Sequence, residues 1–143
     1  LADPEILYNE PSNRFVASFI GENNTLPCTW EGREGALAVL RMGDGSIMKA
    51  AGAENPATDA GITMSVRPER LSLAGESESG DRNRFTGTVR EVFFLGDHMR
   101  LSLEAFGGSL VTARIPAHHA RRFAPGDGVA LECSVRDCRL LAG

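Results

Sequence analysis

Only one of the fifteen basic residues is a lysine, Lys49, and it stands in Met48-Lys49-Ala50 with no glycine-rich loop before it. A G-x-x-x-x-G-K-[ST] phosphate loop is therefore impossible, and no nucleotide hydrolysis is expected of the chain. G-x-S-x-G, H-E-x-x-H and G-x-G-x-x-G are missing as well, so the sequence offers no esterase, zinc-protease or dinucleotide signature. Aromatic residues make up 6% of the chain, with one tryptophan and one tyrosine, and the net charge is −4. A broad nucleic-acid surface needs the opposite balance, so no nucleic-acid partner is expected. No apolar run approaches the ~20 residues of a membrane span. The cysteines, Cys28, Cys133 and Cys138, are odd in number and form no C-x-x-C, which fits a reducing, cytoplasmic setting better than a disulfide framework. His118 and His119 are adjacent and His98 falls in a turn. None of these has the spacing of a metal ligand set.

What remains is a strand-rich chain of 143 residues, 42% hydrophobic, long enough for one domain or for two small halves sharing a core. Residues 25–30, 36–41, 46–51 and 62–67 read as strands, the middle two joined by Met42-Gly43-Asp44-Gly45. The polar run from Gly75 to Asp81 has little to bury and reads as a loop. Strands follow over 85–95, 99–106, 109–115 and 129–135. The first is expected to bulge around Glu91 to Phe93, where alternation fails. Phe93 and Phe94 should point to opposite faces unless that bulge turns both inward. Cys133, in phase with Val129, Leu131 and Val135, reads as a small core hydrophobe.

Two features stand apart. Ser65-Val66-Arg67-Pro68-Glu69-Arg70-Leu71 recurs as Ser134-Val135-Arg136-Asp137-Cys138-Arg139-Leu140, in each case a strand, a tight turn and a short strand. That is the pattern of a repeated corner in a small Greek-key barrel. The charges of Arg67-Pro68-Glu69-Arg70 could hold an anion or a partner, although such runs more often face water. Ahead of the strands, Pro4 to Asn9 reads as a short helix. Ser12 can cap a second one whose face carries Phe15, Val16, Phe19 and Ile20.

Leu7-Tyr8-Asn9-Glu10-Pro11, Asn13-Arg14-Phe15-Val16-Ala17 and Phe19-Ile20-Gly21-Glu22-Asn23 resemble the junction that follows the nucleotide-binding domain in ATP-binding subunits of bacterial ABC importers. Val66-Arg67-Pro68-Glu69, Gly87-Thr88-Val89, Phe94-Leu95-Gly96-Asp97 and Pro125-Gly126-Asp127 are similar to successive landmarks of the TOBE (transport-associated OB) module that comes next in those subunits. The run from Phe19 to Leu26 is most similar to the polyamine (spermidine/putrescine) type, with iron(III) and sugar importers as near relatives.

The resemblance implies a mainly β fold of small OB-like Greek-key barrels with one or two short N-terminal helices. Residues 1–22 would be a helical linker from an ATPase domain. Residues 23–143 would form the regulatory domain in two strand-rich halves, about 23–74 and 83–143. The implied role is a non-catalytic regulatory and dimerisation domain, with ATP and Mg bound elsewhere in the parent subunit and no cofactor here. Its partners would be its own ATPase domain, a second copy in a homodimer, and the transmembrane permease subunits, in the cytoplasm and peripheral to the inner membrane. The face of Phe15, Val16, Phe19 and Ile20 is the candidate contact. Two rival readings exist. Asn83-Arg84-Phe85-Thr86-Gly87-Thr88-Val89 is similar to the strand that opens molybdate-binding relatives, which suggests a small-oxyanion module with amides around Gly87 as donors. An OB-type nucleic-acid-binding domain is the other.

Overall fold

In the computed structural model the described residues are 23–52, 55–56, 61–75, 81–117 and 122–141. The expected N-terminal helices, and with them Phe15, Val16, Phe19 and Ile20, lie outside the described residues, as do His118 and His119. Ten strands occupy the rest: β1 (Asn24–Glu34), β2 (Leu37–Met42), β3 (Ile47–Ala51), β4 (Ile62–Val66), β5 (Ser72–Leu73), β6 (Arg82–Phe94), β7 (His98–Ala105), β8 (Ser109–Pro116), β9 (Gly128–Ser134) and β10 (Arg139–Leu141). They form a closed barrel in the order β1-β2-β3-β10-β4 and a second sheet in the order β5-β9-β6-β7-β8. The OB-like fold expected from the sequence is the fold observed.

Alternation drives the strands. In β7, Met99, Leu101, Leu103 and Ala105 are buried while the residues between them are half-exposed, the period-2 pattern of a sheet with one dry face. In β1, Leu26 and Cys28 point inward. Pro27 sits where β1 pairs only with β4, since pairing with β2 begins at Cys28, so its missing N–H breaks no bridge to β2. The inward faces of both sheets merge in one apolar cluster, with Leu26, Leu40, Met48, Leu101, Ile115 and Leu131 almost fully buried. The β2–β3 turn also touches the second sheet. A Cβ on Gly43 would stand 2.8 Å from the Phe106 carbonyl oxygen, so only glycine fits there.

The two halves are copies of one plan. β1 and β6 each bulge, with register shifts between Trp30 and Gly32 and between Val89 and Glu91. The second bulge falls at Arg90, just ahead of the stretch expected from the sequence. Phe93 and Phe94 are both exposed, at 48% and 63%, which corrects the expectation that at least one would be buried. Beyond Thr88, β6 has lost β9 and pairs with β7 alone. Past the bulge β6 is therefore the edge strand of a β6-β7-β8 sheet; Val92 still packs on the core, while Phe93 and Phe94 lie beyond its cover.

Each copy ends in the other's sheet. β4 runs through a 3-10 turn, Pro68–Arg70, into β5, which pairs with β9; β9 runs through a 3-10 turn, Val135–Asp137, into β10, which pairs with β4. The repeated corner read from the sequence is real, but its residue matching is not. Ser72 faces Glu132 as Arg139 faces Ser65, and Leu71 and Cys138 donate to the carbonyls of Pro68 and Val135. Ser65 is thus the structural counterpart of Glu132. The five shared letters are two residues out of register with the geometry that repeats.

Candidate functional site

Among the described residues, the buried polar side chains gather at the seam between the two copies. Asn24 on β1 reaches the edge strand β8: its Nδ2 donates to Thr112 O at 2.9 Å, and its Oδ1 accepts from Thr112 N at 2.8 Å. Asn83 on β6 does the same to β3, donating to Lys49 O at 2.7 Å and accepting from Lys49 N at 2.9 Å. Both side chains are buried, and a primary amide is one of the few side chains that can satisfy an N–H and a C=O together. Asn83 begins the stretch similar to molybdate-binding relatives, and its amide is committed to this clasp. Gly87 in the same stretch is explained by packing. A Cβ there would lie 3.1 Å from Leu103 Cβ and 3.3 Å from Glu104 O, so β7 approaches too closely for a larger residue.

At the second copy's corner a charge is buried. Glu132 is fully buried, and its Oε2 accepts from Arg84 Nε at 3.0 Å. Arg82 Nε lies 3.5 Å from the same oxygen and has no hydrogen-bond partner among the described residues. A buried carboxylate survives only when such partners compensate its lost hydration. Cys133 and Cys138 stand beside it with sulfurs 3.5 Å apart, and Asn83 Nδ2 donates to Cys138 Sγ at 3.3 Å. The hydrogen bond between the thiols holds Cys138 below its ordinary pKa; it raises Cys133, as does burial. Burial alone pushes Cys28 up to about 11. Cys133 is a core residue, as its strand phase indicates, and buried thiols raised in this way are poor nucleophiles.

At the first copy's corner the balance is reversed. A cavity of about 350 Å³ lies between the two 3-10 turns, lined by Arg67 and Arg70 from one side, Arg136, Asp137 and Arg139 from the other, and Ser65. Arg67 Nε pairs with Glu69 at 2.9 Å, and that bond, reinforced by the Arg67 and Arg114 charges, lowers the Glu69 pKa. Arg70, Arg136 and Arg139 make no side-chain ion pair among the described residues. The sequence marked Arg67 and Arg70 as an anion candidate. It did not bring Arg136 and Arg139 to the same place, because that depends on the strand exchange.

Elsewhere the described residues hold little that could react. His98 Nδ1 lies 2.7 Å from Asp97 Oδ1 on an exposed turn, where the His98 contact lowers the Asp97 pKa. Among the described residues, no group of three or more His, Cys, Asp or Glu side chains could hold a metal ion, and no helix is long and apolar enough to cross a membrane.

With this geometry in view, similarity to known proteins acquires meaning. The family model described as TOBE domain matches residues 64–141. The spermidine/putrescine import ATP-binding protein PotA of Rubrobacter xylanophilus is 38% identical over 146 residues, spanning 100% of this chain and 38% of that protein. PotA 1 of Pseudomonas aeruginosa is 38% identical over 128 residues, 90% of this chain and 34% of that one. The Fe(3+) ions import ATP-binding protein FbpC of Brucella abortus is 32% identical over 107 residues, covering 75% and 28%. The chain thus spans about a third of the length of the PotA relatives it matches. A crystal structure of the cytoplasmic molybdate-binding protein ModG superposes with a TM-score of 0.70 at 19% identity, covering 84% of this chain and 96% of that one. That likeness carries the fold.

Proposed function

The chain belongs to the TOBE-domain family, and from this we propose that it is the non-catalytic regulatory and dimerisation domain of the ATP-binding subunit of an ABC importer, of the polyamine type. The observation that carries the reading is the match to spermidine/putrescine import ATP-binding proteins along the whole chain but along only about a third of theirs. The remaining two thirds of such a subunit would hold the ATPase domain, with its ATP and Mg. The parent subunit would sit in the cytoplasm against the permease subunits, peripheral to the inner membrane. The substrate assignment rests on the same relatives. The iron-importer relative is 32% identical over a shorter stretch, and polyamines are the better choice on identity and coverage together.

In this role the chain contributes contacts. The face of Phe15, Val16, Phe19 and Ile20 would meet the ATPase domain or a second copy, and several large apolar side chains left in water would each forgo roughly 1.5 to 3 kcal/mol. Light scattering on the full chain and on a version starting at Asn23 tests the dimerisation part. The full chain should be a dimer at micromolar concentration and the shortened one a monomer; a monomeric full chain, or a shortened one that dimerises as tightly, overturns it. ATP hydrolysis above background by the purified chain would overturn the non-catalytic part.

A further inference from the structure

We propose that the cavity between the two 3-10 corners binds an anion bearing two adjacent phosphoryl groups, with Arg67 and Arg70 engaging it from one side and Arg136 and Arg139 from the other. The comparison of the two corners carries the argument. Where the second copy places Glu132, fully buried beside Arg82 and Arg84, the first copy places Ser65. One corner therefore brings its own carboxylate to its arginines. The other gathers four arginines around a cavity and has no carboxylate at the equivalent position.

Counting charges leaves the cavity cationic. Four arginines line the cavity against one lining carboxylate, Asp137, and the Glu69 paired with Arg67, a formal excess of two, and Arg114 stands close enough to act on Glu69 as well. Arginine is almost the sole base in this chain, so its identity at these positions decides little. Its convergence decides more, because like charges gathered in one cavity repel unless an anion separates them. Guanidinium forks match phosphoryl oxygens in pairs. The volume, about 350 Å³, lies in the range of ~300–1,000 Å³ usual for small-molecule sites. A single tetrahedral oxyanion would leave much of that volume empty, whereas two linked phosphoryl groups fill more of it and offer more oxygens to the four arginines.

Titration calorimetry of the full chain with pyrophosphate, against orthophosphate, sulfate and molybdate at constant ionic strength, tests this. One pyrophosphate per chain should bind, and the single oxyanions should bind at least about tenfold more weakly, since each engages fewer charged donors. The double variant Arg70→Gln/Arg139→Gln should lose at least about tenfold in affinity, while Arg33→Gln/Arg90→Gln, outside the cavity, keeps it. All four side chains are exposed, so thermal melting should show folded variants; Arg136→Gln alone serves if the double variant fails to fold. No saturable heat at millimolar pyrophosphate, undiminished binding by the cavity variants, or equal binding of orthophosphate overturns the proposal. The proposal stands independently of transport, and its failure would leave the regulatory reading where it was.

Discussion

β10 closes the barrel because its three residues bridge β3 and β4, whereas β5, two residues long, pairs with β9 and leaves the second sheet open. β5 and β10 are counterparts after equivalent corners, so closure is decided at the very end of each repeat. The open sheet's outer strand, β8, is covered another way. Asn24 takes the N–H and C=O of Thr112, and the first corner packs against it. An edge strand left with free amides is a template for unwanted pairing, and this chain covers part of that edge with a side chain and a turn.

The sharpest way to break the comparison is to charge the shared core from each side. Leu40 in the barrel and Leu131 in the open sheet are both fully buried in the same apolar cluster. Leu40→Asp and Leu131→Asp should each cost roughly 4 kcal/mol or more. Urea melts should show one transition lost in both; two separable transitions would mean that the halves fold independently.

Next in size is closure itself. Leu140→Pro places proline in the strand that seals the barrel, opposite Met64, and should cost about 3 kcal/mol while releasing β3 and β4 amides to hydrogen exchange. Ser72→Pro, in the strand that seals nothing, should cost less. Equal costs would show that closure adds no stability.

The asparagine clasps come third. Asn24→Ala and Asn83→Ala each strand one buried N–H and one C=O, for about 2 kcal/mol apiece. Near-equal values in chemical denaturation would uphold the repeat, and a harmless loss at either one would break it.

The smallest effect lies in the β2–β3 turn. Ser46 donates to Asp44 from both its hydroxyl and its backbone N–H, and these bonds lower the Asp44 pKa. A lowered folded pKa means that the contribution is present above the ordinary aspartate range and fades as pH falls through the folded value. Ser46→Ala should move the Asp44 carboxyl back toward its ordinary pKa in an NMR titration, with little change in stability at neutral pH.

Much of this architecture could be read from the letters. β2, β3, β4, β7, β8 and β9 begin or end within a residue or two of the alternating stretches, because one face of each is dry. The corners were visible through Pro68 and the repeated S-V-R start, yet that repeat pointed to the wrong pairs. Identity between letters reports resemblance, while hydrogen-bond register reports position, and here they differ by two residues. The exchange of β5 and β10 was not legible. Two or three residues carry no periodicity, and their partners lie across the chain. Phe93 and Phe94 misled because alternation assumes a covered strand, whereas β6 beyond Thr88 is an edge strand and both rings lie beyond the cover of the core. Of the candidate site, Arg67 and Arg70 were legible as a charge run. Their meeting with Arg136 and Arg139 exists only once the corners are folded. Asn24 and Asn83 left no signal beyond being asparagines at the inward positions of long strands.

The strand exchange also sets an order of events during synthesis. β4 ends at Val66 and β10 begins at Arg139, about seventy residues later. At ~5–20 residues per second, the ribosome leaves roughly 4 to 15 s in which the first barrel exists without its sealing strand. During that interval the edges of β3 and β4 have no β10 to pair with. The N-terminal barrel is thus the first to begin folding and cannot be the first to finish. A nascent chain arrested before β10 should be cut by protease within β3 or β4, where the released chain resists.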